Sequence, residues 1–292
     1  MPGDSRVIDL PDGRGLAVVG AGDPGGAPVI YHHGTPSAGR PYAPWVRDAA
    51  ERGIRLIAYD RPGYGGSDRR AGRTVADVAA DIDAVADALG LERFGTWGAS
   101  GGGPHALACA ALLERCAAAA TFAGAAPYGE PELDFMAGMG EDNLREFGAA
   151  LEGEDALRPL LEEFAAGVRG ATAEQLAEEM RTLLSPPDAG ALTGAFAEHL
   201  LGSFHEATRP GVGGWLDDDL AFVRPWGFSV ADIAVPVQVW QGDQDLMVPH
   251  AHAQWLAAHI PGADVRMSPG DEHLTVVENH LGEVHAWLAS QL

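Results

Sequence analysis

A serine surrounded by small residues is the first candidate for chemistry in this sequence. Ser100 lies at the centre of Gly98-Ala99-Ser100-Gly101-Gly102, a G-x-S-x-G pattern, between a predicted strand ending at Trp97 and a helix predicted to open near Gly103. A serine on a sharp strand-to-helix turn needs neighbours without bulky side chains, because the backbone is strained and those side chains would collide. The pattern indicates a nucleophilic serine, although taken alone it also fits a glycine-rich loop without chemistry.

The same turn would aim backbone amides at a reacting carbonyl. The N–H of Gly101, at the start of the helix, can stabilise a developing oxyanion. Upstream, His33-Gly34-Thr35-Pro36 closes another predicted strand. Here the sequence resembles the α/β-hydrolase family, whose H-G-x-P turn supplies a second oxyanion amide, and the resemblance assigns that amide to Thr35. Asp60 to Ser67 resembles the family's D-x-x-G-x-G-x-S loop, for which we expect a structural role.

An acidic residue follows a later predicted strand at a second family pattern. The segment Gly242 to Pro249 reads GDQDLMVP and resembles the family's G-x-x-D-x-x-V-P turn, whose aspartate in register is Asp245. Asp243 is the competing carboxylate, nearer the start of the turn. Some relatives carry the acid after an earlier strand, but the corresponding segment here, residues 124–127, contains no carboxylate.

Gly270-Asp271-Glu272-His273 matches the family's G-x-x-H loop, and it precedes the last predicted helix. The resemblance therefore makes His273 the general base. Core packing or surface roles suit most of the other ten histidines better, and His105 is expected to support the core. His199 and His205 could touch substrate, but neither is assigned to the site.

The order Ser100, Asp245, His273 is the chain order of triads in the α/β-hydrolase family. The resemblance implies a serine hydrolase, carboxylesterase-like, that acts on a small or medium neutral ester through an acyl-enzyme intermediate, without cofactor or metal. The same triad in relatives also serves lactones, carbon-carbon bonds and cofactor-free perhydrolysis. A ligand receptor with slow or no turnover is the alternative of another class.

Two residue identities argue against some of the activities found within the family. Relatives that are proline iminopeptidases usually carry Trp directly after the nucleophile, where this chain has Gly101. Relatives that open epoxides or cleave haloalkanes use an aspartate nucleophile, and Ser100 argues against both activities.

The elements that must position these residues follow an alternating pattern. Short apolar runs alternate with helical patterns, which predicts an α/β fold with a mostly parallel central sheet and helices on both faces. Between two strands, Val75 to Leu89 shows helical spacing, with Thr74 and Asp77 as a capping pair and Gly90 as the stop. The predicted strands lie within residues 6–21 (two strands joined by a Pro-Asp-Gly turn), 27–32, 54–59, 93–97, 118–123, 235–241 and 263–267.

From residue 128 to residue 228 the strand pattern stops and amphipathic helical segments take over. We interpret 128–228, called the insert below, as a helical cap within a core domain formed by 1–127 and 229–292. Trp215, Phe222 and Met136 are its candidate substrate-binding residues. Other apolar residues of the insert could share that role or form its core: Leu133, Phe135, Met139, Phe196, Phe204 and Trp226.

Composition excludes several partners and enzyme classes. The net charge of −23 would repel nucleic acid and anionic membranes, and it favours neutral or cationic substrates unless it serves solubility alone. All 19 basic residues are arginine, so no lysine can form a Schiff base, hold pyridoxal phosphate or complete a Walker A loop.

Other features concern location and redox state. Cys109 and Cys116 lack zinc-site spacing and are expected to be reduced core residues in a helix and the turn after it. Residues 1–4 carry no basic segment before an apolar one, and no apolar run approaches a membrane span, so a cytoplasmic location is expected. The oligomeric state is left open.

Overall fold

The computed structural model describes residues 4–292, and it confirms the α/β architecture. Eight strands form one sheet in the order β1-β2-β4-β3-β5-β6-β7-β8, in which only the pairings of β2 with β1 and β4 are antiparallel. The first three residues, which include most of the N-terminal segment considered above, lie outside the described residues. The strands are β1 Asp4–Asp9, β2 Gly15–Gly22, β3 Ala27–His32, β4 Ile54–Tyr59, β5 Phe94–Ala99, β6 Cys116–Phe122, β7 Val237–Gly242 and β8 Asp264–Ser268.

Helices cover both faces of this sheet. Each face carries its own apolar cluster, because neighbouring strand residues such as Val29 and Ile30 point to opposite sides. The helices are α1 Ala43–Glu51, α2 Val78–Leu89, α3 Gly102–Leu112, α4 Glu141–Glu152, α5 Glu154–Gly170, α6 Ala173–Glu179, α7 Pro186–Ala191, α8 Gly194–Ala207, α9 Gly213–Phe222, α10 Ala251–His259 and α11 Thr275–Ser290.

The predicted strands agree with these bounds to within two residues at the ends that position the site. β3 and β4 have the predicted limits, whereas β5 continues two residues beyond Trp97, to Ala99. One local prediction was wrong: Cys116 begins strand β6 and does not lie in a turn. Both cysteines are nevertheless free and buried, as expected.

The crossover helix α2 has the predicted caps. A short 3-10 turn, Val75–Asp77, precedes α2, and the side chains and backbone of Thr74 and Asp77 form a reciprocal capping box. Gly90 ends α2 in the left-handed conformation, with φ of 67°. Local side-chain chemistry therefore fixes both ends of this helix.

The insert contains helices α4 to α9 and, as the loss of strand alternation predicts, no strand within residues 128–228. It leaves the core after β6 and returns before β7, which are neighbours in the sheet. The division of the chain into two domains at these residues stays a prediction.

The sheet topology collects the candidate residues at one edge. Because β3, β5, β7 and β8 run parallel, their carboxyl ends and the loops after them lie at the same edge. Behind these loops, α11 buries Val277, Leu281, Val284 and Leu288, the face predicted from sequence. In the described part of the chain, no helix is both long and apolar enough to cross a membrane.

Candidate active site

The turn from β5 to α3 holds Ser100 in a conformation that is uncommon for a residue with a side chain. Its φ is 53°, and its N–H donates to the carbonyl of Phe122 on β6 at 2.8 Å. A Cβ atom at Gly98 would collide with the backbone of Gly102, and one at Gly102 with the carbonyl of His32. The strained turn therefore requires both flanking glycines, for the reason inferred from the sequence.

The two predicted oxyanion residues lie side by side. A Cβ atom at Gly101 would collide with the Thr35 side chain and would lie 3.1 Å from the ring of Phe222. Neither backbone N–H donates a hydrogen bond to any group within residues 4–292. Both amides are thus available next to Ser100, and no side chain fits at Gly101.

Arg61 fixes the conformation of the turn that carries Thr35. Its buried guanidinium donates to the carbonyl oxygens of His33 and Gly34 and to the hydroxyl of Thr35. The main-chain N–H of Arg61 donates to Nε2 of His33, which leaves the Nδ1–H of that ring to donate to the Gly34 carbonyl. Burial, aided by the Arg61 charge, holds the pKa of His33 well below its ordinary value, so this ring is a neutral structural group.

The loop from Asp60 to Ser67 has the structural role expected of it. The carboxylate of Asp60 accepts from the N–H groups of Gly39 at 2.7 Å and Gly66 at 2.9 Å. The Ser67 hydroxyl donates to the Asp60 carbonyl and accepts from Ala17 on β2. These bonds hold the segment that delivers Arg61.

A buried carboxylate of the insert completes this arrangement. Asp218 on α9 pairs with Arg61 at 2.7 Å and Arg73 at 2.6 Å, and it accepts hydrogen bonds from the hydroxyls of Thr35 and Tyr64. Burial raises the pKa of Asp218, but the two guanidinium groups outweigh it and hold that pKa well below its ordinary value. Sequence motifs gave no indication of this role of Asp218, because its partners lie more than a hundred residues away in the chain.

Asp245 is a carboxylate whose hydrogen-bonding capacity is well filled. One oxygen accepts from the N–H groups of Met247 and Val248, at 2.8 and 2.9 Å, which closes the turn after β7. The other accepts from Nε2 of Gln241 and from Nδ1 of His273, both at 2.9 Å. The competing Asp243 is exposed and accepts instead from the N–H of Gly270, so it braces the loop that carries His273.

His273 donates from Nδ1 to Asp245, which leaves Nε2 able to accept a proton. Burial lowers the pKa of His273, but the charge and hydrogen bond of Asp245 outweigh it and raise the pKa above its ordinary value. Ser100 and His273 line the same cavity, although the Ser100 hydroxyl makes no hydrogen bond within the described residues. The geometry thus provides an oriented imidazole in the cavity that the strained serine lines.

Two further carboxyl groups flank His273. Asp188 on α7 of the insert accepts from the N–H groups of Leu274 and Thr275, at 2.8 and 2.9 Å, and so caps α11 from outside. Glu272 is 1% exposed, and burial, with help from Asp188, Asp245 and Asp243, raises its pKa to about 7. Sequence motifs gave no indication of either role.

Three further histidines, His105, His252 and His199, have packing roles. His105 is buried and its Nδ1 bonds the carbonyl of Gly101, while His252 bonds Ala126 and Phe135. His199 packs against Tyr42 and Trp45 outside the cavity. His205, the other histidine considered for substrate contact, does not line the cavity either.

A cavity of about 620 Å³ lies between the core and the insert, within the size range of small-molecule sites. Ser100, Gly101, Thr35 and His273 line its core side. On the insert side, the predicted Trp215 and Phe222 line it, together with Phe196 and Phe204. Met136 does not line it. That side chain packs with the apolar cluster of the core, as do Leu133, Phe135, Met139 and Trp226.

Comparisons with known proteins agree with this architecture. Epoxide hydrolase A of Mycobacterium tuberculosis is 35% identical over 91 residues, 30% of this chain and 28% of that protein. A non-heme chloroperoxidase of Streptomyces lividans is 33% identical over 98 residues, 33% of this chain and 36% of that protein. The chain therefore matches about a third or less of the length of these relatives.

A solved structure of a hydrolase from Pseudomonas aeruginosa PA01 superposes with a TM-score of 0.71 at 22% identity and covers 98% of both chains, which shows a shared fold. The family model described as the alpha/beta hydrolase fold matches residues 27–280. With this match over most of its length, the chain belongs to the α/β-hydrolase fold family.

Proposed function

We propose that this α/β hydrolase is a serine esterase for small or medium ester substrates, with Ser100 as nucleophile, His273 as base and Asp245 as the acid that orients it. The observation that carries the proposal is the hydrogen bond from His273 to Asp245, in a cavity that is also lined by a serine held at φ of 53°. A packing role alone gives no reason for a strained serine beside an oriented imidazole with a free Nε2.

In the proposed mechanism the Ser100 hydroxyl attacks the ester carbonyl carbon and gives its proton to Nε2 of His273. The N–H groups of Thr35 and Gly101 receive the oxyanion, and His273 then protonates the departing alkoxide to leave an acyl-enzyme. Water, deprotonated by the same imidazole, attacks the acyl group and releases Ser100. Asp245 stabilises the imidazolium in both steps and keeps Nδ1 protonated.

The substrate class follows from the cavity. Its volume of about 620 Å³ suits a small or medium molecule, and the aromatic side chains of the insert offer apolar contacts to the acyl or alcohol group. The −23 net charge disfavours anionic substrates.

The test is labelling with a fluorophosphonate probe, followed by mass spectrometry and assays with p-nitrophenyl esters of increasing acyl length. The wild-type protein should be labelled at Ser100 and should hydrolyse short and medium esters. Ser100→Ala should fold normally, lose the label and lose about three or more decades of turnover, because triad members act as a unit.

Ser203→Ala serves as the matched control, since Ser203 is a buried serine of the insert that bonds Ser37 and Ala38. This variant should keep the label on Ser100. A well-folded wild-type protein that neither takes the label nor turns over any ester would refute the hydrolase and favour a small-molecule receptor.

A second candidate activity is cofactor-free perhydrolysis, favoured by the 33% identity to a non-heme chloroperoxidase. In that reaction hydrogen peroxide replaces water as the attacking group on the acyl-enzyme and releases a peracid. Peracid formed from an ester and peroxide, and absent with Ser100→Ala, would support it. Lactone hydrolysis and carbon-carbon bond cleavage are tested in the same way, by comparing the turnover of such substrates by the wild-type protein and by Ser100→Ala. Epoxide opening is not proposed, because the nucleophile position holds a serine.

A further inference from the structure

Two carboxyl groups of the insert line the cavity opposite the candidate triad. Glu146 on α4 and Asp219 on α9 are 9% and 1% exposed, and their carboxyl groups are close enough for each to shift the pKa of the other. Nε1 of Trp215 donates to Glu146 at 2.7 Å. No N–H or hydroxyl group of the described residues donates to Asp219, whose buried Oδ2 has no partner among them. The pair is therefore short of hydrogen-bond donors.

The surroundings do not neutralise this pair. Arg73, whose charge acts on Asp219, is already paired with Asp218, and so is Arg61. Burial raises the pKa of Glu146, and burial together with the Glu146 carboxyl raises the pKa of Asp219 well above its ordinary value. Without a ligand, a bound proton must reduce the negative charge of this buried pair, which a cation or a hydrogen-bond donor would otherwise stabilise.

Helix α9 places the pair close to the reacting centre. Trp215, Asp219 and Phe222 are spaced by four and three residues, so they share the helix face that lines the cavity. The Phe222 ring approaches Gly101, and three residues of helix rise by only about 4.5 Å. A group bound by Asp219 would thus lie in the same cavity as the oxyanion amides, on the helix face that brings Phe222 to Gly101.

The part of the cavity wall that the insert forms carries more acidic than basic side chains. Its ionisable insert residues are six carboxyl groups and two arginines, and one of these, Arg145, is paired with Asp142 and Glu163. A cavity wall with an excess of carboxyl groups concentrates ligands of the opposite charge.

We propose that Glu146 and Asp219 bind the protonated amine of the substrate, so that the preferred esters carry a basic nitrogen close to the scissile carbonyl. The N–H groups of an ammonium ion supply the donors that Asp219 lacks, and its charge replaces the proton that the buried pair would otherwise hold, which is released to solvent. The inference deepens the proposed function and rests on it.

The test uses two pairs of esters in which an ammonium group replaces a methyl group of the same size. β-Alanine ethyl ester is compared with ethyl butanoate, and 2-aminoethyl butanoate with propyl butanoate, with acid release followed by pH-stat. The measured quantity is the ratio of kcat/KM, cationic ester over neutral ester. In the wild-type protein this ratio should exceed about ten for one of the two pairs, as expected for a buried charge-assisted contact.

Asp219→Asn and Glu146→Gln keep the shape of each side chain and remove one ionisable group. Each should lower the preferred ratio by about tenfold to hundredfold. Glu162→Gln is the matched control, because Glu162 is an exposed carboxyl group of the insert that does not line the cavity, and this variant should keep the wild-type ratio. The wild-type ratio tests the proposal even if a cavity variant fails to fold.

The outcomes separate the two proposals. Neutral esters hydrolysed with labelled Ser100, but with ratios near or below one for both pairs, would overturn the ammonium site and leave the esterase standing. A high ratio that Asp219→Asn and Glu146→Gln leave unchanged would also overturn it. Absence of turnover and labelling for all esters would overturn the esterase itself.

Discussion

His273 determines the expected pH dependence of the reaction at the scale of single residues. Its pKa is raised above the ordinary value of 6.5, because Asp245 outweighs the opposing effect of burial. Only the neutral imidazole accepts the Ser100 proton, so kcat/KM should rise with pH through a midpoint above 6.5. A profile of kcat/KM against pH for a neutral ester checks this, and a flat profile from about pH 5 to 8 would contradict it.

Asp245→Asn tests the stated cause of that midpoint. The amide removes the charge that raises the pKa of His273 but leaves the ring buried, so the midpoint should move to lower pH while kcat falls by several decades. Glu272→Gln is measured as the companion variant, because the pKa of Glu272 is about 7 and its titration would overlap that of His273 in the pH profile. An unchanged midpoint in Asp245→Asn would show that Asp245 does not tune the base.

Those residues of the proposed site that lie in short motifs could be proposed from the sequence alone. Ser100, Asp245 and His273 each sit in a tight loop whose neighbours reveal its shape. The Glu146–Asp219 pair could not be found this way, since its members are far apart in the chain and meet only through the packing of α4 against α9. One signal was available: Asp217, Asp218 and Asp219 are consecutive acids in a helix that is otherwise apolar around them.

At the scale of elements, buried ion pairs between Asp218 and the guanidinium groups of Arg61 and Arg73 connect α9 to the core. Asp218→Asn would leave the guanidinium groups of Arg61 and Arg73 without a counter-ion, and removal of one partner of a buried pair costs about 3–5 kcal/mol. We expect a loss of that size in the free energy of unfolding, measured by urea titration. Esterase activity should fall as well, because Arg61 holds the turn of Thr35.

The neighbouring Asp217→Asn is the control for this variant. Asp217 pairs with Arg69, whose side chain is 36% exposed, so water can solvate the guanidinium that the substitution leaves unpaired. The loss of stability should therefore be clearly smaller than for Asp218→Asn. Equal losses would mean that the buried charge of Asp218 is not what joins α9 to the core.

Element limits were predictable where local chemistry sets them and less so elsewhere. Thr74, Asp77 and Gly90 fix the ends of the crossover region by their own hydrogen bonds and backbone freedom. The start of α11 depends instead on Asp188, a residue 86 positions away from Leu274. A distant carboxylate that caps a helix leaves no trace in the helix's own sequence.

At the scale of the whole molecule, the net charge of −23 is an opposing term in folding. Raising NaCl from about 10 mM to 150 mM shortens the screening length from about 30 Å to about 8 Å and weakens repulsion among exposed carboxylates. The thermal midpoint should therefore rise with salt. Scanning fluorimetry checks this, with a neutral solute at equal osmolarity as the control, and a midpoint that falls with salt would contradict it.

Asp188 and Asp218, two aspartates through which the insert contacts the core, limit how the insert can be exchanged between related proteins. Substrate preference is commonly pictured as a module that can be exchanged by transplanting the insert alone. In this chain, a foreign segment at residues 128–228 would leave the buried guanidinium groups of Arg61 and Arg73 without a counter-ion. It would also remove the carboxylate that caps α11, the helix that follows His273. The exchangeable unit is therefore the insert together with its arginine partners, because a recombination boundary at the ends of the insert separates Asp218 from Arg61 and Arg73.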